Sequence, residues 1–97
     1  MRSRTITLKP NKFFVGKYFD EVKADLKKIN ANTDDFGTAL YLNYPDYFIV
    51  IDQMYNLEIY YTEKLNDVNK KVSLIEAVIR DRINNFMFDK SSIKFIN

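Results

Sequence analysis

The sequence predicts a two-layer α+β domain in which two helices cover one face of a small antiparallel sheet. Three observations predict this fold class: one short alternating segment, two segments whose apolar residues recur every three to four positions, and three strand-like segments separated by tight turns. Their order along the chain is β-α-β-β-β-α. The 97 residues, 46% of them hydrophobic, suit a single domain spanning 1–97, with residues 90–97 as a candidate flexible tail.

The first element is a strand and the second is a helix. Residues 5–9 alternate and are rich in β-branched side chains, and Pro10 then ends the predicted strand. The helix is predicted because the next apolar residues follow a 4-3-4-3 spacing that keeps them on one face, while Lys17, Lys23 and Lys27 point elsewhere. The apolar residues of this face are Val15, Phe19, Val22, Leu26 and Ile29.

Three strands follow, and two tight turns set their register. Residues 30–37, which contain two asparagines and end at a glycine, are predicted to form the turn that precedes them. Pro45 and Asp46 have the backbone preferences of a turn centre. Residues 54–56 can close a three-residue hairpin with Asn56 in the left-handed conformation. The pairs predicted to face each other on the helix-covered side are Leu42 with Ile49, Leu40 with Ile51, Ile51 with Ile59, and Ile49 with Tyr61.

The last predicted element is a second helix, preceded by a loop at residues 66–71. Ser73 and Glu76 have the spacing of a capping box, in which each side chain accepts a backbone N–H of the first turn. The apolar stripe of this helix is Ile75, Ile79, Ile83 and Phe86. The helix is predicted to end near residues 89–92, and residues 93–96 are compatible with either a final strand or an ordered tail.

Alternation along the three strands sends aromatic residues to the face opposite the helices. Tyr41, Val50 and Tyr60 are predicted to share one row across the three strands, with Phe48 one step away. Tyrosine and phenylalanine on an exposed patch are typical of protein interfaces, because an aromatic ring offers a large contact area at low entropic cost. The alternatives are a plain solvent-exposed face, and a face covered by the tail or by a second copy of the chain.

Two acidic residues border this predicted patch. In the predicted hairpin Asp52 and Glu58 lie directly opposite each other, and like charges in that position destabilise a sheet. An arginine or lysine from a partner would relieve the repulsion. The alternative is that both side chains extend into water. The predicted protein-binding residues are therefore Tyr41, Phe48, Val50, Asp52, Glu58 and Tyr60.

The composition excludes several classes of chemistry. The chain has neither histidine nor cysteine, so Ser-His and Cys-His nucleophiles and thiolate zinc sites are impossible, and with two glycines it has no glycine-rich phosphate loop. We therefore expect a non-enzyme with no catalytic residue, metal or cofactor. No apolar run approaches the length of about 18 to 20 residues that spans a membrane, so we expect a cytoplasmic protein that does not bind membranes.

The charge distribution suggests a second function, which is nucleic-acid binding. Residues 1–28 carry eight Lys and Arg against three acids, residues 29–69 carry one against seven, and residues 70–97 carry six against three. Single-strand platforms combine aromatic rings with a basic groove, but the tyrosine-rich middle is acidic. Nucleic acid would therefore bind the basic ends. The candidate residues are Arg2, Arg4, Lys9, Lys12, Lys17, Lys23, Lys70 and Lys71.

The α-β-β-β-α order of residues 15–88, with Lys70 and Lys71 just before the last helix, resembles a double-stranded-RNA-binding domain. The resemblance implies that this lysine pair contacts phosphates across a groove. It covers the topology and one dipeptide. The Gly-Pro-x-His loop of that family falls here at residues 44–47, Tyr-Pro-Asp-Tyr, without the glycine and the histidine, and residues 72–75 lack the third lysine.

These observations favour a non-catalytic protein-binding module. Asn, Ile, Lys, Tyr and Phe make up nearly half of the chain, a bias typical of AT-rich coding sequences in low-GC bacteria and their phages or plasmids. We expect a phage- or plasmid-encoded regulator or inhibitor of a host protein, such as a nucleic-acid-handling protein whose basic groove would meet the acidic middle of this chain. A homodimer is a further expectation, and the nucleic-acid-binding accessory protein is the alternative.

Overall fold

The computed structural model of the chain describes residues 4–10, 18–61, 66–83 and 88–96. In chain order its elements are β1 Arg4–Pro10, α1 Phe19–Ile29, β2 Thr33–Asp35, β3 Ala39–Asn43, β4 Tyr47–Asp52, β5 Leu57–Tyr61, α2 Asn66–Arg82 and β6 Phe88–Ile96. The strands form one antiparallel sheet in the order β2-β3-β4-β5-β1-β6. The predicted α+β fold is confirmed, and β2 and β6 are added to the predicted elements.

The inner face of the sheet and the helices share one core, as the alternation predicts. Leu40, Leu42, Ile49, Ile51, Leu57 and Ile59 are all buried, and they belong to the same apolar cluster as Phe19, Val22 and Leu26 of α1 and Val68, Val72, Ile75 and Ile79 of α2. Ile29 is an exception to the prediction, because at the last position of α1 its side chain is 45% exposed. Val15 and Phe86, which the sequence assigned to the apolar faces of the two helices, lie outside the described residues.

Strand β2 lies inside the segment that was predicted to be only a turn. Thr33 and Asp35 pair with Leu42 and Leu40 of β3. A two-residue hairpin loop joins the strands, and Gly37 occupies its first central position with a φ of 81°, where glycine is favoured. The prediction was wrong here because a strand of three polar residues has no apolar alternation to reveal it. Residues 93–96, which the sequence left open, belong to β6 Phe88–Ile96. The predicted end of the second helix near residues 89–92 is wrong, because α2 ends at Arg82 and β6 begins at Phe88.

Helix α2 begins at residue 66 rather than at the predicted capping box, so the predicted loop at 66–71 is wrong. Val68 and Val72 extend the apolar stripe backward by two turns, and both are buried. Burying each valine contributes about 1.5 to 3 kcal/mol, whereas an N-cap contributes about 1 kcal/mol, so burial decides where the helix begins. Ser73 is an exposed residue within the helix. Among the described residues, no helix combines the length and the apolar character needed to cross a bilayer.

The β3–β4 turn matches the prediction, but the β4–β5 turn lies one residue earlier than predicted. Tyr55, rather than Asn56, has the left-handed backbone, with a φ of 61°. The Asp52 carboxylate holds this turn because Oδ1 accepts the backbone N–H groups of Met54 (2.9 Å) and Asn56 (3.0 Å). The pairs that result are Ile49 with Ile59 and Ile51 with Leu57. This shift of two residues preserves the alternation, so every described residue of β3, β4 and β5 stays on its predicted face.

Candidate functional site

Four aromatic rings contact one another in series on the sheet face opposite the helices. We call Phe36, Tyr41, Phe48 and Tyr60 the aromatic ladder. The Phe36 and Tyr41 rings meet edge to face with centroids 5.1 Å apart, while Tyr41 and Phe48 stack at 5.9 Å and Phe48 and Tyr60 stack at 4.7 Å. The last three side chains are half-buried, and Phe36 is 67% exposed. The ladder therefore forms one contiguous aromatic surface from the β2–β3 hairpin to β5.

The predicted row of Tyr41, Val50 and Tyr60 is wrong because of the register shift. Val50 faces Tyr41 on one side and Glu58 on the other, whereas Tyr60 lies opposite Phe48. The predicted outer face still contains all five of these residues, namely Tyr41, Phe48, Val50, Glu58 and Tyr60. The shift places Tyr60 directly against Phe48, so the rings form a continuous stack instead of an isolated row.

The predicted repulsion between Asp52 and Glu58 is absent, because these residues are not opposite each other. Asp52 lies opposite Ala39 and its carboxylate accepts the hydrogen bonds of the β4–β5 turn. Glu58 is exposed, and its Oε2 accepts a hydrogen bond from the Tyr60 hydroxyl at 2.7 Å. This bond raises the pKa of Tyr60 to about 12, because a carboxylate acceptor favours the protonated phenol. Glu58 thus remains at the edge of the aromatic ladder, while Asp52 has a structural role.

Sequence reasoning missed Phe36 and Asp34, which belong to the same surface. Asp34 lies directly opposite Tyr41, and Phe36 follows two residues later on the same face of the β2–β3 hairpin. Asp34 is exposed, and its Oδ2 accepts a hydrogen bond of 2.8 Å from Asn43 Nδ2. The sequence signal that would have revealed them is Gly37, a hairpin residue directly after Asp34-Asp35-Phe36.

The surface is acidic. Residues 33–61 contain five acidic residues and no lysine or arginine. Asp35 differs from the others because it accepts hydrogen bonds from Lys27 (2.6 Å) and Lys23 (3.1 Å) of α1. The Lys27 bond, the backbone N–H of Gly37 and the Lys23 bond hold the pKa of Asp35 well below its ordinary range. Asp34 makes no ion pair within the described part of the chain.

Lys23 was predicted to point away from the core and to be a nucleic-acid contact, and the geometry contradicts both predictions. Only 6% of the residue is exposed. Its Nζ donates to Asp35 Oδ1 and, at 2.9 Å, to the carbonyl oxygen of Gly37, and it lies 5.1 Å from the centroid of the Phe19 ring. Lys23 therefore attaches the β2–β3 hairpin to α1 and is not accessible to a phosphate.

Of the other predicted nucleic-acid contacts, Lys70 and Lys71 are those whose side chains the structure describes. Lys70 is exposed and Lys71 is half-buried, with its Nζ 5.3 Å from the centroid of the Tyr44 ring. Both lie in the second turn of α2 rather than before the helix, so the placement implied by the resemblance to double-stranded-RNA-binding domains is wrong. Arg2, Lys12 and Lys17 lie outside the described residues, and Arg4 and Lys9 belong to β1.

The remaining tyrosines of the middle segment have structural roles. Tyr44 and Tyr47 stack with centroids 4.6 Å apart, and their hydroxyls donate to Asn30 Oδ1 and Asp67 Oδ2. Burial and the Asp67 bond raise the pKa of Tyr47 above its ordinary value. Because these bonds connect the β3–β4 turn to the end of α1 and the start of α2, this cluster stabilises the fold. Tyr41 and Tyr60 are the two strand tyrosines on the outer face.

No group of three or more acidic, histidine or cysteine residues that could hold a metal ion occurs in the described ranges. No family model, curated protein or solved structure matches this chain. The surface itself is therefore the basis for assigning a function.

Proposed function

We propose that this protein is a non-catalytic binding module that recognises a second protein through the aromatic ladder and its acidic border. The observation that carries the proposal is the contiguity of the four rings on a face that the helices do not cover. Aromatic side chains are enriched at interface cores, where each supplies a large area of contact for few rotatable bonds. Scattered apolar residues are ordinary on protein surfaces, whereas a contiguous patch marks an interaction site.

Charge decides which kind of partner fits this face. Across strands β2 to β5, the row that contains Tyr41 and Val50 begins at Asp34 and reaches Glu58, and these four strands carry no basic residue. The row continues through Thr7 of β1 to Lys94 of β6. Phosphate groups would be repelled by the part of the face formed by β2 to β5, so this part is unsuited to nucleic acid. A protein surface that carries arginine or lysine around an apolar centre complements it.

The proposed biological role follows from the same charge complementarity. Proteins that handle nucleic acid present basic grooves, and an acidic surface with aromatic anchors would occupy such a groove and exclude the nucleic acid. Together with the AT-rich composition bias, this favours a phage- or plasmid-encoded regulator or inhibitor of a host protein. The protein would then act by binding alone, without a cofactor.

Photo-crosslinking from the ladder tests the proposal. Phe48 is replaced by p-benzoylphenylalanine, which keeps an aromatic ring in the stack, and the matched control places the same residue at Leu74, which is 44% exposed on α2. In cells of a low-GC bacterium we expect an adduct with one protein from position 48 and none from position 74. The adduct should disappear when Tyr60→Ala is added.

The identified protein is then purified and titrated against the variants. Tyr60→Ala should weaken binding by about 2 kcal/mol or more, which is roughly 30-fold, as loss of a buried aromatic anchor does. It should change folding stability by no more than about 1 kcal/mol. Equal adducts from both positions, adducts only with a second copy of this chain, or a variant that binds normally would each refute the proposed function.

A further inference from the structure

The β2–β3 hairpin is an exposed part of the outer face, where a carboxylate and two rings come together. Asp34 and Tyr41 are directly opposed across the two strands, which places their Cβ atoms about 5 Å apart. Phe36 extends from the same face and meets Tyr41 at an interplanar angle of 71°. The two rings therefore present differently oriented surfaces beside one carboxylate.

Asp34 differs from the adjacent Asp35 in its charged neighbours: lysine side chains pair with Asp35 but, in the described ranges, not with Asp34. Asp35 is held by Lys23 and Lys27 on the helix side of the hairpin, whereas Asp34 makes no ion pair within the described ranges and accepts one hydrogen bond, from the neutral amide of Asn43. One carboxylate of the Asp-Asp pair thus holds the hairpin in place. The other is exposed to solvent next to the aromatic rings.

We propose that Asp34, Phe36 and Tyr41 form a site that binds an arginine side chain of the partner protein. This inference rests on the proposed function and specifies its chemistry. A guanidinium group is planar, so it can stack on a ring while its N–H groups reach a carboxylate. An ammonium group is a compact, strongly hydrated charge and cannot make both contacts in the same way. The site therefore selects arginine over lysine.

The surrounding contacts preorganise this site. Asn43 Nδ2 fixes one oxygen of Asp34, and Lys23 ties the hairpin to α1 through Asp35 and the Gly37 carbonyl. Gly37 also donates its own N–H to Asp35 Oδ1 at 2.8 Å. Groups that are already held in position lose little entropy when a ligand binds.

A pair of single-charge probes tests the site without the partner. The intact protein, labelled for NMR, is titrated at low salt with N-acetyl-arginine amide and, in parallel, with N-acetyl-lysine amide. We expect the arginine probe to shift the ring resonances of Phe36 and Tyr41 and to bind at least about threefold more tightly than the lysine probe, the size of effect expected from one exposed cation–π contact.

Three variants distinguish specific binding at this site from the general attraction of a cation to the acidic face. Phe36→Leu keeps an apolar side chain but removes the ring, and it should abolish the preference for arginine. Asp34→Asn should weaken binding of the arginine probe by at least about threefold, because the charge-assisted hydrogen bonds are lost. Glu58→Gln removes one unit of charge from the same face outside the site, so it should have a smaller effect than Asp34→Asn.

Equal affinity for the two probes, or equal effects of Asp34→Asn and Glu58→Gln, would overturn the site. Shifts confined to other residues would overturn it as well. Such a result would leave the proposed function standing if Tyr60→Ala still abolishes the adduct from position 48. Conversely, a clear arginine preference with no protein adduct would refute the proposed function and leave the site itself intact.

Discussion

The left-handed backbone in the β4–β5 turn can be tested by replacing Tyr55 with alanine or with glycine. We expect the glycine variant to be the more stable of the two. Tyr55 combines a left-handed backbone, with a φ of 61°, and a side chain that is 1% exposed and meets the Phe19 ring edge to face at 6.1 Å. The buried ring stabilises the fold, whereas the left-handed backbone of a residue with a Cβ atom destabilises it. Replacing Tyr55 by alanine removes only the stabilising contribution, and replacing it by glycine removes both.

The magnitudes follow from these two contributions. Deleting a buried aromatic ring costs about 3 to 5 kcal/mol, which Tyr55→Ala should lose in full. A residue with a Cβ atom loses about 1 to 2 kcal/mol of stability in the left-handed conformation, and the glycine variant avoids this loss. The greater freedom of glycine in the unfolded chain takes back about 0.4 to 1 kcal/mol of that gain. Tyr55→Gly should therefore be more stable than Tyr55→Ala by up to about 1.6 kcal/mol, with a central value of about 0.8 kcal/mol.

Urea unfolding followed by circular dichroism measures the free energies. The matched control is Leu57, a fully buried residue of β5 with an ordinary strand backbone. There the glycine variant should be less stable than the alanine variant, since glycine weakens a strand. If Tyr55→Gly is also less stable than Tyr55→Ala, then Tyr55 is not left-handed. The observed register of β5, and with it the stacking of Phe48 on Tyr60, would then be refuted.

Three further predictions concern the core, the outer face and the basic residues. Ile51→Ala should lower the free energy of unfolding by about 2 to 5 kcal/mol, and a loss below about 1 kcal/mol in urea unfolding would place Ile51 outside the core. Glu58→Gln should lower the pKa of Tyr60 from about 12 toward its ordinary 10.0, as an ultraviolet absorbance titration would show. Because the folded-state pKa is raised, the stability contributed by the protonated Tyr60 is fully present below pH 10.0 and is lost as the pH rises through about 12. In fluorescence anisotropy with labelled duplex and single strand, we expect no binding at low salt; tight binding whose salt dependence decreases in the Lys70→Ala/Lys71→Ala variant would favour the nucleic-acid alternative.

The sequence by itself determined the layer structure and the two faces of the sheet. Leu40, Leu42, Ile49 and Ile51 alternate with outward-facing residues, and this period of two survives any register shift of two residues. For that reason the buried face and the aromatic, acidic outer face were predicted correctly, although the partners across β4 and β5 were not. The two faces were predictable because alternation is a property of neighbouring residues along each strand and does not depend on which strands pair.

Only the tertiary structure decided which residues form the candidate surface and which hold it in place. Asp52 was expected at an interface and instead holds a turn, because its carboxylate reaches N–H groups two and four residues ahead. Lys23 resembles any solvated helical lysine in sequence. It is buried because the carboxylate of Asp35 and the carbonyl of Gly37, 12 and 14 residues away, converge on its ammonium group. Phe36 likewise joins the ladder through the fold, because its ring meets the ring of Tyr41 only when the β2–β3 hairpin has formed.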